Sequence, residues 1–476
     1  MIRIESSSLS LREIAFITLA VIPIYLFTAC GYVDTIDAEA SIEAAKALVD
    51  HGSFGIYVSS ANPVLFAKGK DGRFYSKLGI LMPVLYAPLV KAARALSTQL
   101  DLPESVLIHA LVSFLNPLLS SLLIGLLFGV LRSSGCSFKE SIYLAGTAAF
   151  TTLVFPYSKT SHREPIQALF LLVVYAGALG SHSNYLLSGV CCALGILTKQ
   201  AFIVSAIPAL LLLLAGSVRR RDARSSILLF FPVLLSGIAW SLFSQLAFGT
   251  ALESGYSSAV MTLKPGVWST PLFSGLHQQF TSVDSGFFVN NPVLVLPLLW
   301  LVWKATHRKL LLVDWSILAA FLLQGTLYAK WAFPTGGCNL GPRYLIVVLP
   351  LAFLLVRDFL PHLLKHRGFT SLSLVLLIIS FGMQVTSVCV RPQQFWTLKQ
   401  RASVTVDYPH WLANMKFFAH KFRGQKEIYT PSAFGLQKGV DMNLEDVRTL
   451  KGFNFWWLHA RRFQESADSH YRTVAR

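Results

Sequence analysis

Runs of roughly 17 to 25 predominantly apolar residues, each long enough to cross about 30 Å of hydrocarbon, recur along the chain. They begin near Glu13, Val106, Glu140, Glu164, Tyr185, Ala201, Ser226, Phe288, Leu310, Tyr344 and Thr370. A segment crossing lipid must satisfy its own backbone, so such runs fold as helices. The expected fold is an all-α polytopic membrane protein with about eleven transmembrane helices. Composition agrees, since 54% of the 476 residues are hydrophobic, 14% are charged and the mean hydropathy is +0.55. These values exclude a soluble globular domain. The stretch from Tyr185 to Lys199 is short enough to be a partial span. The first run is like the apolar core of a secretory signal, but its length and the lack of a small-residue cleavage site after Cys30 favour a retained anchor.

Charge in the short loops orients the segments. Arg219, Arg220, Arg221 and Arg224 share one loop, Lys304, Arg308 and Lys309 another, and Arg357, Lys365 and Arg367 a third. All three sit on one side if the amino terminus is cytoplasmic. Residues 34–105, 249–286 and the tail from Arg391 then face outward. This divides the chain into a transmembrane domain, 1–390, with a first outer loop of interfacial helices over 34–105, and a small extracytoplasmic segment, 391–476. The net charge of +17 is partly this topological signal and partly the basic tail. It points to anionic lipid or a phosphate-bearing substrate rather than to nucleic acid. The six cysteines form no disulfide framework, because five lie in or beside apolar runs. The absence of Cys-x-x-Cys, a Walker-type glycine loop and His-Glu-x-x-His leaves thiol redox chemistry, nucleotide-driven transport and zinc proteolysis without support.

Three carboxylates, Asp34, Asp37 and Glu39, fall within six residues just outside the first run. A transporter would keep ionisable groups at mid-membrane depth, whereas the spans here offer only scattered His109, Asn116, Gln245 and Gln324. Acids at one water interface suit an enzyme working at the membrane surface. Asp34-x-x-Asp37 also describes a helix start with an N-cap carboxylate. Their emergence from a span opposite a cluster of Lys and Arg makes Asp37, and after it Asp34, a candidate catalytic base. Glu39 reads mainly as a charge favourable to the helix dipole. From Ala38 to Val49 the apolar residues Ala38, Ile42, Ala45 and Val49 recur at helical spacing, which predicts a helix lying on the bilayer and ending at Gly52. A second, proline-broken stretch from Ile80 to Leu96 places Lys91 and Arg94 at headgroup level. Between them, Lys68 to Lys77 reads as a basic, glycine-punctuated turn.

Further candidates lie at other outer turns. Ser161-His162-Arg163-Glu164-Pro165 opens a span, so capping by Glu164 competes with His162, Arg163 and Glu164 lining the same cavity as Asp37. Lys199, between two apolar runs, either snorkels or neutralises a lipid phosphate. The most specific string runs from Trp331 to Tyr344. Its glycines let backbone N–H groups approach a ligand, and Arg343 after Pro342 would join a helix N-terminus in binding an anion. Asn290 and Asn291 read as caps, and the tail clusters Asp407 to Trp411 and Phe453 to Trp457 as the core of a small unit.

With those residues in place, the chain resembles the C-type (GT-C) membrane glycosyltransferases, the group of the protein O-mannosyltransferases and the lipid A aminoarabinose transferase, over most of Asp34 to Pro350. The resemblance rests on the acid-bearing loop 34–52, on Asp71-Gly72-Arg73-Phe74-Tyr75-Ser76-Lys77-Leu78-Gly79, on Ser285-Gly286-Phe287-Phe288 before Asn291-Pro292, and on Gly336-Gly337 before Gly341-Pro342-Arg343-Tyr344. It implies an inverting transfer of a sugar from a polyprenyl-phosphate carrier to an acceptor hydroxyl on a lipid, glycan or protein, at the outer face of a bacterial inner membrane. It also implies Asp37 or Asp34 as base, and Arg343, Lys77, Arg73 and Lys199 as cations for the departing phosphate. No cofactor is expected, although Asp37-x-Glu39 offers oxygen ligands for one divalent metal. The family often carries an Asp-Glu pair where this chain has Asp37-Ala38-Glu39, and Trp-Gly where it has Trp331-Ala332, so which acid is the base stays open. The alternatives are a non-enzymatic translocator or binding protein for lipid-linked saccharides and, on weaker grounds, an ion-coupled transporter.

Overall fold

The structure, a computed structural model, describes residues 11–33, 35–58, 65–179, 184–255, 267–337, 339–359, 367–390, 409–422 and 455–459. Helices dominate. In chain order they are α1 (Leu11–Thr28), α2 (Ile36–His51), α3 (Leu81–Leu100), α4 (Glu104–Ser113), α5 (Leu115–Ser133), α6 (Phe138–Phe150), α7 (Val154–Ser158), α8 (Glu164–Leu179), α9 (Tyr185–Thr198), α10 (Phe202–Arg219) and α11 (Ala223–Phe248). The helices Leu272–Phe280, Val295–Thr306, Leu312–Ala329, Arg367–Cys389 and His410–Phe422 follow, with shorter turns between them.

Six segments are long and apolar enough to cross a membrane: Leu11–Thr28, Glu104–Ser133, Phe202–Arg219, Ala223–Phe248, Leu312–Ala329 and Gly368–Cys389. Glu164–Leu179, Tyr185–Thr198 and Pro292–Thr306 are shorter apolar helices. The protein is thus an integral, multi-pass membrane protein. Two of the expected runs take a different form. The run near Glu140 becomes the 13-residue α6, about 20 Å long at 1.5 Å per residue. The run from Tyr344 splits into a five-residue 3₁₀ turn, Arg343–Val347, and a short helix, Leu351–Leu355, around Pro350. Leu345, Val348, Leu349 and Leu354 are fully buried, so this run is apolar because it fills the core, and hydropathy alone does not separate that case from lipid exposure.

Contacts between the turns sort them into two groups. At one end Cys30 Sγ donates to Lys159 O at 3.2 Å, and Asn116 Nδ2 donates to Thr160 O and His162 O at 2.5 and 2.6 Å. At the other end Arg132 meets Glu13 at 3.6 Å and Cys136 Sγ donates to Arg357 O at 3.0 Å. The arginine-rich turn 219–224 falls at this second end. There too, a network joins the buried Lys304 to the buried Asp314 (3.0 Å) and to the exposed Asp358 (3.3 Å), and Arg357 to Asp314 (2.9 Å). The five described cysteines are all buried, as packing residues are.

The first loop departs from an all-α fold. Strands β2 (Phe66–Lys68) and β3 (Phe74–Ser76) form an antiparallel hairpin that β1 (Gly55–Ile56) joins on the other side, in the order β1-β3-β2. Short runs with the β-prone residues Phe66, Phe74 and Tyr75 on either side of the Asp71-Gly72 turn carry this signal. Helix α2 also differs from expectation. Its apolar face, Ala38, Ile42 and Ala45, packs on Met82, Tyr86, Val90 and Ala93 of α3 and on Ile108 and Val112 of α4, so protein covers the face that the spacing assigned to lipid. Helix α3 runs unbroken through Pro83 and Pro88, and Arg94 pairs with Asp50 and Glu104 instead of reaching headgroups.

Within the tail, 391–476, only 409–422 and 455–459 are described, and both pieces dock on the helical body. Asn414 Nδ2 donates to Ser387 Oγ at 3.1 Å. The indole N–H groups of Trp456 and Trp457 donate to Leu26 O and Phe27 O, both at 3.0 Å, and the Trp456 backbone N–H donates to Ala29 O at 2.9 Å. These bonds satisfy carbonyls that the end of α1 leaves without intrahelical donors.

Candidate functional site

Thr35 caps α2, its hydroxyl accepting from Ala38 N at 3.2 Å. A threonine therefore does the capping, and Asp37, in the first turn, reaches sideways. Asp37 Oδ2 accepts from Arg163 Nη2 at 3.2 Å and lies 3.1 Å from Arg343 Nη1. Asp34 lies outside the described residues.

Arg163 belongs to the bend between α7 and α8. The bend is held by the two Asn116 bonds and ends at Pro165, which suits a first helical turn because it has no N–H to satisfy. The same bend supplies His162, whose Nδ1 is 3.3 Å from Arg343 Nη1, and Glu164, whose Oε1 is 3.6 Å from Arg343 Nε. Tyr157 stacks obliquely on His162 at 5.7 Å and donates to Leu340 O at 3.0 Å, tying the bend to the glycine-rich string.

Arg343 follows that string but heads only a five-residue 3₁₀ turn, too short for the helix dipole expected to assist it. Its position is set sterically. Its backbone N–H donates to Thr335 O at 3.1 Å, and a Cβ on Gly336 would fall 2.4 Å from Arg343 Cγ. Gly336 also has φ +95, which side chains other than glycine's rarely adopt.

Lys199 enters from the turn between α9 and α10. Its Nζ lies 4.2 Å from the ring centroid of Tyr344 and 4.6 Å from that of Tyr328, and the two rings stack at 3.7 Å. A charge over two aromatic faces is a cation–π contact. The first loop closes on this point, because a Cβ at Gly79 would meet Thr198 O at 2.1 Å. Gln324 Nε2 donates to Tyr344 O at 3.0 Å and fixes the far side.

The structure therefore brings together Asp37, His162, Arg163, Glu164, Lys199 and Arg343, from four separate stretches of chain. Lys77, Arg73 and Glu39 take other partners. Lys77 is buried against Gly255 and lies within the field of Glu253. Arg73 pairs with Asp71 at 3.0 Å and donates to Ser53 Oγ at 2.9 Å. Glu39 turns to His109 at 3.0 Å, since residues two apart on a helix point about 200° apart. That divergence separates the two acids proposed to share a metal, and among the described residues no three of His, Cys, Asp and Glu are grouped closely enough to hold one. Asn290 and Asn291 serve the backbone, Asn291 Oδ1 accepting from Leu153 N at 2.7 Å. Tyr157, Tyr328 and Asn116 shape the site without having been singled out for it. They sit inside apolar runs, and only the fold shows which way they face.

Charge in the cluster is unbalanced. Arg163, Lys199 and Arg343 supply three cations against the two carboxylates Asp37 and Glu164, with His162 in addition when protonated. Burial alone would raise the Asp37 carboxyl, but Arg343, then Arg163, with His162 and Lys199 beyond, hold it well below the usual carboxylate range. For Lys199, burial, reinforced by Arg163 and Arg343 and opposed by Glu164 and Asp37, brings the ammonium down to about 7. Two polar atoms in the buried cluster, Arg343 Nε and Glu164 Oε2, have no hydrogen-bond partner among the described residues. Unpaired buried polar atoms are costly, and a surplus cation with a spare donor and acceptor suits a polar, anionic ligand.

No protein-family model and no curated protein matches the chain. Among solved structures it is similar to ArnT from Cupriavidus metallidurans bound to undecaprenyl phosphate, at 14% identity and TM-score 0.43, over 85% of this chain and 68% of that one. It is also similar to the Archaeoglobus fulgidus oligosaccharyltransferase tethered with an acceptor peptide containing the NVT sequon, at 10% identity and TM-score 0.49, over 86% of this chain and 59% of that one. Both are membrane glycosyltransferases of the GT-C kind that the sequence resembles. At these scores the likeness is one of general helical layout and carries nothing about this chain's chemistry.

Proposed function

We propose that the chain is an inverting glycosyltransferase that moves a sugar from a polyprenyl-phosphate carrier to an acceptor hydroxyl at the extracytoplasmic face. The observation that carries this reading is the Asp37 carboxylate bridged by Arg163 and Arg343, with Lys199 beside them, at the end of the bundle away from the basic turns. Under the positive-inside rule that end faces outward. An anionic phosphate entering the cluster competes with Asp37 for the two guanidiniums, so donor binding frees the carboxylate as it recruits the cations. The acceptor oxygen then attacks the sugar C1 and the bond from C1 to the phosphate oxygen breaks with inversion. The acceptor proton passes to Asp37, and the departing phosphate is held by Arg163, Arg343 and Lys199, positive charge placed where negative charge develops.

The test is transfer by the purified, full-length protein supplied with polyprenyl-phosphate sugars. Product formation that is lost in Asp37→Asn supports the reading. Wild-type activity in Asp37→Asn would end it, as would donor binding without transfer to any lipid, glycan or protein acceptor.

A further inference from the structure

We infer that Phe455, Trp456 and Trp457 form a clasp that fixes Asp37 and Arg163 relative to each other from outside the site. They are positioning residues, and the inference rests on the transferase reading only where it concerns rate.

Asp37 and Arg163 reach their 3.2 Å contact from two different supports, the end of α1 that leads into α2 and the bend between α7 and α8. One short piece of the tail grips both. On the first support, the Trp456 and Trp457 indole N–H groups and the Trp456 backbone N–H hold the carbonyls of Leu26, Phe27 and Ala29. Trp457 also stacks on Phe27, with ring centroids 4.9 Å apart. On the second support, the Phe455 ring lies 5.2 Å from Lys159 Nζ, a cation–π contact three positions before His162 and four before Arg163. Cys30 Sγ, just past the carbonyls that the tryptophans hold, donates to Lys159 O, so the two supports also touch each other.

A further route runs from the same residues to the bend. Trp456 meets Phe114 edge to face at 5.9 Å, and Phe114 stands two residues before Asn116, whose amide holds Thr160 O and His162 O. Tryptophans at the end of a membrane helix ordinarily anchor the chain in the bilayer interface, with the indole N–H turned to headgroups or water. Here both N–H groups donate to protein carbonyls and Phe455 is only 8% exposed, so the segment is built into the protein. Each contact is weak alone. Their effect lies in geometry, because a displacement of about 1 Å caused far from the chemistry lowers a rate by about 10².

The test compares full-length wild type with Phe455→Leu/Trp456→Leu/Trp457→Leu in detergent or nanodiscs. Asp314→Asn, at the opposite end of the bundle, is the control for general loss of stability. Amide hydrogen exchange at residues 35–41 and 157–164 should rise about tenfold in the triple variant, the scale of losing one or two hydrogen bonds, while residues 312–329 stay as in wild type. No rise in those two stretches, or a rise spread evenly over the protein, overturns the clasp. If the triple variant does not fold, Trp456→Phe/Trp457→Phe, which keeps rings and removes only the two indole donors, decides on the same stretches. The kcat per folded molecule should fall at least about tenfold in the clasp variant and hold at the wild-type value in Asp314→Asn, a contrast that lost stability alone does not produce. A wild-type kcat in the clasp variant overturns the positioning role. Absence of transfer in wild type as well counts against the transferase reading and leaves hydrogen exchange to decide the clasp.

Discussion

Arg343 Nη1 stands 3.1 Å from Asp37 Oδ2, so the segment after α1 and the segment after Leu312–Ala329 meet through one pair of charges. Pairing at this distance inside a protein is strong only while both partners are present. Removing one leaves the other buried without a counter-charge.

Asp37→Asn should therefore do two things. Transfer should fall by about 10² to 10⁴, the usual worth of a positioned base, and the folded protein should lose stability because Arg163 and Arg343 lose their shared acceptor. Rate measured per folded molecule, with folded fraction followed by size exclusion, separates the effects. Full activity per folded molecule would show that Asp37 is structural.

Gly336→Ala tests whether the glycine-rich string places Arg343. The new methyl group would meet the Arg343 side chain in a backbone conformation costing about 1 to 3 kcal/mol for residues other than glycine. Donor KM should rise several-fold, while Gly337→Ala, with open space around its Cβ, should change KM much less. Equal effects from both would place the cause in backbone strain alone.

Lys199 should make donor binding pH-dependent. Its ammonium, brought down to about 7, is present below that pH and lost above it, and an anion that binds the charged form raises its pKa. A phosphodiester donor keeps its charge throughout, so its affinity should weaken as pH rises past about 7, by up to tenfold per pH unit. Equilibrium binding of the donor to wild type and Lys199→Met reads this directly. A slope that survives in Lys199→Met assigns the dependence elsewhere.

At the opposite end of the bundle, Asp314 holds both Lys304 and Arg357. Asp314→Asn should destabilise by about 3 to 5 kcal/mol, the cost of leaving buried charge unpaired, and should lower Tm without changing KM for the donor. A change in KM at preserved Tm would contradict the separation of the two ends.

Much of this arrangement was legible in the residues. Length and hydropathy exposed α1, α5, α10, α11 and the helices Leu312–Ala329 and Arg367–Cys389, because lipid demands long uninterrupted runs. Asp37, Arg163 and Arg343 stood out as charges at the ends of such runs. The orientation of side chains around α2 was not legible. Periodicity reports that Ala38, Ile42 and Ala45 share a face but not whether lipid or α3 covers it, and it left open that Glu39 would leave Asp37 for a histidine some seventy positions away. The Tyr328–Tyr344 stack under Lys199 was hidden for a related reason, since aromatic residues in apolar runs read as packing until tertiary structure brings two rings and an ammonium together. The hairpin at Phe66–Lys68 and Phe74–Ser76 was outweighed by the glycine and lysine content of its turn.

The indole donors of Trp456 and Trp457 lie 430 positions downstream of the α1 carbonyls they satisfy. During synthesis α1 is made long before those donors exist, so Leu26 O and Phe27 O gain these bonds only once the tail has been made. Biogenesis of this protein thus has a built-in late step, in which the end of α1 is completed only after the segment carrying Trp456 and Trp457 has been made.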